Sequence, residues 1–343
     1  MRYLSILFCF LVLNLSAQPQ APNRIDSKGN KQGPWKKYDK DVLVYEGNFK
    51  DNVPVGEFKY YHPNGKLKSI TVFIQGVHEV KTTIFHPNEK KASEGHFIDQ
   101  LKDGEWKYWD QDTTLIKVEH YNKGKKNGQW LTYSASTGIL LEELNYKNDT
   151  LHGVAKTFYT DGVPCTIENY LSGQRNGVAE SYFIDGKLSI KGAFYQGLKS
   201  GEWFYYDQLG QLRKTSEYKK SQEVVTYLVF YNGKQPIKLK QDIIAYFMEE
   251  GNKVKIVLFN NSPIIVSDDM FTVRTWADIL TFIPVTPSLH VAHAAIKGYQ
   301  QLEDDEIQVQ IEPALPYKVI SRGDEAAMVK MLFERELPKL EEN

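Results

Sequence analysis

One short phrase, Gly-x-Trp/Phe-x-x-Tyr, recurs through the first two-thirds of the chain at almost constant spacing. It reads Gly33-Pro34-Trp35-Lys36-Lys37-Tyr38, Gly56-Glu57-Phe58-Lys59-Tyr60-Tyr61, Gly104-Glu105-Trp106-Lys107-Tyr108-Trp109, Gly128-Gln129-Trp130-Leu131-Thr132-Tyr133 and Gly201-Glu202-Trp203-Phe204-Tyr205-Tyr206. Weaker copies begin at Val80, Gly153 and Gly177, so the start positions 33, 56, 80, 104, 128, 153, 177 and 201 advance by 23, 24, 24, 24, 25, 24 and 24. A period this regular means an array of one small unit, in which each copy buries its apolar side against the next. Such arrays present extended surfaces, which moves the expectation away from a catalytic pocket and towards binding or scaffolding.

Each unit reads as one β-hairpin. In the copy at Gly201, the aromatic run Glu202-Trp203-Phe204-Tyr205-Tyr206 favours a strand, Asp207-Gln208-Leu209-Gly210 is turn chemistry, and residues 211–219 alternate polar and apolar. Gly65, Gly138, Gly162, Gly186 and Gly210 stand at the same turn, where a positive φ costs glycine nothing. Successive hairpins should pair into an antiparallel meander. Alternation places Trp203 and Tyr205 on one face and Phe204 and Tyr206 on the other. The repeat-core set read from the phrase is Trp35, Tyr38, Phe58, Tyr61, Trp106, Trp109, Trp130, Tyr133, Trp203 and Tyr206. Rows of such rings form either the array's own core or a solvent-facing strip for sugars or a peptide.

The pattern over residues 201–212, Gly-x-Trp-x-x-Tyr-x-x-x-Gly-x-Leu, resembles the MORN repeat in its bacterial variant form, found in YwqK-like antitoxin chains. The resemblance spans roughly residues 33–233, strongest in the copies at Gly56, Gly104 and Gly201. It implies stacked β-hairpins used for protein contact or membrane association, and it implies no reaction. The antitoxin label conflicts with the start of the chain, because an exported partner cannot neutralise a cytoplasmic toxin.

That start reads as a cleavable signal peptide. Arg2 precedes a nearly unbroken apolar run over residues 4–15, and Leu15-Ser16-Ala17 is a small-residue cleavage site before Gln18. The run is short for a membrane span. Cys9 lies inside it, so only Cys165 remains after cleavage and no internal disulfide is possible. The chain of 343 residues therefore divides into a signal peptide (1–17), a leader (18–32), about eight repeats (33–233) and a C-terminal module (234–343). With 42 basic against 43 acidic residues, nothing in the charge balance points to nucleic acid. Aromatic residues make up 13% of the chain against a mean hydropathy of −0.46, which suits thin, half-buried sheets.

Lys31, Lys102, Lys126, Arg175 and Lys199 each stand two residues before a repeat's first position, while Pro54, His78 and Leu151 interrupt the series. They form either a basic edge able to meet anionic glycan, lipid headgroups or acidic protein, or ordinary solvated turn residues.

In the C-terminal module, Ile237, Ile243, Ile244, Phe247 and Met248 give residues 236–250 an apolar helical face. Residues 254–259, 264–266 and 307–311 read as strands. Further helices are expected around Trp276, over 288–299 and over 324–337, the last N-capped by Asp324. His290 and His293 would then lie one turn apart, a spacing able to share a metal, but no His-Glu-x-x-His signature or third ligand accompanies them. Asp268-Asp269 and residues 303–306 are acidic clusters without the spacing of a calcium loop. No phosphate loop or nucleophile elbow appears.

The expectation is thus a mainly β fold: an extended antiparallel meander with a small α+β module, non-enzymatic, with no cofactor and no metal. Export to the periplasm, outer membrane or medium, and binding of an unidentified protein, complete it. The alternatives are a glycan or lipid binder using the aromatic rows and basic edge, and a small C-terminal effector or enzyme delivered by the repeats.

Overall fold

The computed structural model describes residues 22–303 and 305–336. The apolar segment, its cleavage site and Cys9 lie outside the described residues. The fold is mainly β, and the described residues form two compact units, one within residues 22–140 and 146–149 and the other within residues 141–145 and 150–336.

In the first unit, strands adjacent in the chain are antiparallel neighbours. Lys31–Asp39 pairs with Val42–Lys50, which pairs with Val53–Tyr61, and so on through Leu67–Phe73, Glu79–Phe85, Lys91–Ile98, Leu101–Trp109, Leu115–Asn122 and Gly128–Tyr133. In the second unit the same order runs through Gly153–Phe158, Pro164–Leu171, Gly177–Tyr182, Leu188–Tyr195, Leu198–Tyr206, Leu212–Lys219, Gln222–Asn232 and Gln235–Lys240. Each repeat is one hairpin, as the period predicts.

Two turn types alternate. Inside a repeat, Gly65, Gly138, Gly162, Gly186 and Gly210 adopt φ of 80°, 71°, 91°, 81° and 83°. Between repeats the chain reverses in two residues, both with positive φ, as at Asp51-Asn52 (52° and 65°), Asp99-Gln100 (50° and 66°) and Gln196-Gly197 (51° and 82°). Two consecutive positive φ angles define the type I′ turn, whose twist matches that of the strands it joins.

The C-terminal module completes the second unit. A five-stranded antiparallel sheet has the order Pro263–Val266, Lys253–Leu258, Ile244–Glu250, Leu289–Ala292, Phe282–Thr286. A three-stranded sheet is made of Ile296–Glu303, Glu306–Ile311 and Val319–Arg322. Helix α1 (Met270–Trp276) and helix α2 (Gly323–Glu336) accompany them.

Two expected helices are strands. Residues 236–250 form Gln235–Lys240, a 3-10 turn at Gln241–Ile243 and Ile244–Glu250; residues 288–299 hold Leu289–Ala292, a 3-10 turn at His293–Ala295 and the start of Ile296–Glu303. The cause is burial on both sides: residues 244–247 and 289–292 are each four consecutive buried positions. A strand covered on both faces shows no alternation and is indistinguishable by periodicity from a buried helix. Helix α2 begins at Gly323, so Asp324 lies in its first turn instead of capping it. The module's core also takes in Leu228 and Phe230 from Gln222–Asn232, so it is built jointly with the last strands of the meander.

Candidate binding surfaces of the repeat sheet

The second residue after each repeat glycine defines one row across the sheet. In the first unit Phe58 faces Thr71 across one strand pair, Thr82 faces Gly95, and Trp106 faces Glu119. In the second unit Ala155 faces Glu168, Ala179 faces Gly192, Trp203 faces Ser216 and Ser216 faces Thr226. Phe58 and Trp106 are each 2% exposed, and Trp130 and Trp203 are buried as well. The rings are the array's own core.

Glycine makes room for the rings. A Cβ on Gly47 would lie 2.5 Å from the Phe58 ring, one on Gly95 2.1 Å from Trp106, and one on Gly192 2.2 Å from Trp203. In all three pairs the glycine precedes its ring by eleven positions, so the ring lies flat on the backbone of the preceding strand. Where the row carries alanine, at Ala155 and Ala179, the residue eleven before is Leu144 or Glu168. Large and small exchange places, and the layer keeps its thickness. Sequence reasoning missed this relation, although its signal, a glycine eleven residues ahead of an aromatic, is plain once the row is known.

Of the expected repeat core, the second aromatic does not share the row. Tyr38 is 55% exposed, and Tyr61, Trp109, Tyr133 and Tyr206 are half-buried. Three positions separate the two aromatics, and an odd spacing places them on opposite faces. Tyr61 Oη donates to Glu46 at 2.7 Å, and Glu46 also pairs with Lys36 at 3.1 Å. Tyr182 Oη donates likewise to Glu180 at 2.6 Å. Burial and the neighbouring carboxylate push the Tyr61 hydroxyl up to about 12.

The five basic residues are turned onto the rings. Lys31 Nζ stands 4.7 Å from the Trp35 ring centre, Lys102 4.5 Å from Trp106, Lys126 4.1 Å from Trp130, Arg175 4.3 Å from Phe194 and Lys199 4.3 Å from Trp203. Their backbone carbonyls accept from the next I′ turn: Lys31 from Asn52 at 3.2 Å, Lys102 from Gly124 at 2.8 Å, Lys126 from Asp149 at 2.9 Å, Arg175 from Gly197 at 2.8 Å, and Lys199 from Ser221 at 2.9 Å. A cation over a ring face is attracted by the ring quadrupole, so this position stitches neighbouring hairpins together.

Glu119 is a buried acidic position on the row, whereas Glu168 on the same row is half-buried. Glu119, 5% exposed, accepts from Tyr108 at 2.8 Å, Tyr121 at 2.9 Å and Lys117 at 2.6 Å. Burial pushes its carboxyl up, but the donors Lys117, Tyr108 and Tyr121 outweigh burial and hold it below its ordinary value. Both tyrosine hydroxyls are raised in turn, first by burial and then by Glu119.

The opposite face is open and mixed. In the second unit Val154 and Val178 are 36% and 47% exposed. Beside them, Lys156 pairs with Glu143 at 3.1 Å and Lys191 with Glu180 at 2.9 Å.

The acidic pair at 268–269 is structural. Arg213 is 5% exposed; its Nε donates to Asp207 at 2.7 Å and its Nη1 to Asp268 at 2.8 Å. Asp268 also accepts from Tyr231 N at 2.7 Å. A buried guanidinium thus joins the turn of the last recognisable repeat to the C-terminal module. Asp269 caps α1, accepting from Thr272 N at 2.7 Å. His290 lies on a buried strand and His293 in a 3-10 turn, so they do not share a helix face. Among the described residues, no group of three or more His, Cys, Asp or Glu is arranged to hold a metal ion.

Residues 54–75, 151–171 and 199–220 match the family described as MORN repeat variant. No curated protein matches the chain. Among solved structures, a LytTr DNA-binding domain of a methyl-accepting/DNA response regulator from Bacillus cereus is similar at 11% identity, with a TM-score of 0.26, over 31% of this chain and 95% of that one. The TcdB2-TccC3-Cdc42 structure is similar at 8% identity, with a TM-score of 0.19, over 83% of this chain and 16% of that one. TcdB2-TccC3 without its hypervariable C-terminal region gives 9% identity, a TM-score of 0.18 and the same coverages.

Proposed function

We propose that this chain, whose hairpins are MORN-variant repeats, is an exported, non-catalytic scaffold that holds a protein partner at the cell envelope. The observation that carries this reading is the division of labour between the two faces of the repeat sheet. The aromatic row is consumed by the sheet's own packing and its cations sit over the rings. What remains accessible is the other face, where Val154 and Val178 stand among paired lysines and glutamates. Exposed apolar side chains among neutralised charges suit a protein surface, which is only moderately apolar and dislikes unpaired charge at its centre. An anionic glycan or lipid held by the row and its basic edge would need free cations and free ring faces, and Lys31, Lys102, Lys126, Arg175 and Lys199 are each engaged with a ring. Export rests on Arg2, the apolar run over 4–15 and the small residues before Gln18.

The test uses the full chain as bait in solubilised cell envelope. Wild type should retain a defined protein, and the variant Val154→Glu/Val178→Glu should lose it while unfolding at an unchanged temperature. Changing Lys31, Lys102, Lys126, Arg175 and Lys199 together to Ser should lower the unfolding temperature, and the partner should still bind at temperatures where the variant is folded. Retention of polysaccharide or lipid alone, lost with the five-fold variant, would overturn the scaffold reading. Export predicts Gln18 as the mature N-terminus; a mature chain beginning at Met1 would contradict it.

A further inference from the structure

Within the C-terminal module, one cavity has a chemistry that the packing of the fold does not require. It has a volume of about 340 Å³ and is walled by Ile279, Phe282, Pro284 and Pro287, with Arg274, His290 and Glu325 on its lining. That volume lies at the small end of ligand sites, which combine mostly apolar walls with a few polar groups. Arg274 comes from α1 and Glu325 from the first turn of α2. Among the described residues, neither makes an ion pair: Arg274 lies over the Phe271 ring at 5.2 Å, and Glu325 has no salt-bridge partner. His290 is 9% exposed, and its Nδ1 is covered without a hydrogen-bond partner. The imidazole lines the cavity and carries a second ring nitrogen, Nε2, besides the covered Nδ1.

We propose that this cavity binds a free α-amino acid with an apolar side chain. Arg274 takes the carboxylate, Glu325 takes the ammonium, and His290 completes the carboxylate's hydrogen bonds. Ile279, Phe282, Pro284 and Pro287 surround the side chain. Burial holds His290 below its ordinary pKa, with Arg274 acting in the same direction and Glu325 against it. A neutral imidazole carries one N–H and can donate it to the carboxylate without adding a buried charge. The selectivity logic is that of opposite charges on one lining: a ligand lacking either charge forgoes one of the two charge contacts.

The experiment is calorimetric titration of the full chain with L-leucine, N-acetyl-L-leucine and L-leucinamide. L-Leucine should bind saturably with a Kd below about 1 mM. N-Acetyl-L-leucine and L-leucinamide should each bind at least ~10-fold more weakly, the change expected from losing about 1.4 kcal/mol. Arg274→Gln should weaken leucine by a similar factor and abolish its advantage over leucinamide; Glu325→Gln should abolish its advantage over N-acetyl-leucine. Both substitutions lie on exposed or half-exposed positions, and an unchanged unfolding temperature verifies that each variant folds. Two outcomes overturn the proposal. One is no saturable binding by any proteinogenic amino acid up to about 10 mM. The other is binding indifferent to both charges, shown by equal affinities across the three ligands or by unaffected variants.

Discussion

The row of buried residues in the first unit and the row in the second solve the same packing problem with different side chains. The first sets Gly47 under Phe58 and Gly95 under Trp106. The second begins with Ala155 and Ala179, whose partners eleven positions earlier are Leu144 and Glu168, and only then reaches Gly192 under Trp203. All of the ring and alanine positions in these pairs are buried. In these pairs a ring lies over a glycine and an alanine faces a longer side chain, whereas Glu119 and Trp130, also eleven apart, are both large and both buried. Copies that have lost their aromatic still stack: hairpin pairing and I′ turns continue through them, and the neighbour supplies the missing bulk.

The comparison predicts unequal sensitivity. Trp106→Ala removes the large member above a glycine and leaves a void that neither neighbour fills, so it should cost about 3–5 kcal/mol in denaturant unfolding. Ala155→Gly, at the same row position beside a large partner, should cost roughly 1 kcal/mol. Equal losses at the two sites would break the comparison.

Gly192→Ala tests the small member. A methyl group 2.2 Å from the Trp203 ring forces the indole off the strand, at about 1–3 kcal/mol. Gly197→Ala, at a turn glycine with nothing within 4 Å, should instead respond through its φ of 82° alone. Near-ultraviolet circular dichroism separates the two, since only Gly192→Ala disturbs the tryptophan environment.

Glu119 sharpens the contrast from the electrostatic side: it is the buried acid facing Trp106, where Trp203 faces Ser216. Its folded pKa lies below the ordinary 4.5. Its contribution is therefore fully present above that pH and disappears as pH falls through the folded value. Glu119→Gln should lower stability at pH 7 by about 1–3 kcal/mol, and the variant should lose less than wild type on acidification below pH 4.5. A constant difference across that range would contradict the assignment. The smallest effect is expected from Lys102→Met, which keeps the stem but removes the cation from Trp106, at about 0.5–1 kcal/mol.

How much of this was legible in the sequence follows from which interactions are local. The hairpins, their turn glycines and the antiparallel meander repeat within 24 residues, so periodicity and turn chemistry suffice. The pairing of Gly95 with Trp106 reaches only eleven residues, yet it crosses from one repeat into the next, and reading one unit at a time conceals it. The cation positions stood out as a series, but their placement over the rings depends on strand register. In the C-terminal module, residues 244–247 and 289–292 became strands because neighbours cover both faces, which no local pattern reports. Arg213 and Asp268 meet across 55 residues. The orphaned His290 nitrogen exists only once the fold has closed around it.

A double-mutant cycle on Gly95 and Trp106, measured by equilibrium denaturation, tests the volume exchange most directly. Gly95→Leu and Trp106→Ala should each destabilise the protein alone. Together they recreate the arrangement of Leu144 and Ala155, so the double variant should recover at least ~1 kcal/mol relative to the sum of the single changes. Losses that add to within about 0.5 kcal/mol would mean the two positions do not share one volume, and the packing account of the repeats would fail.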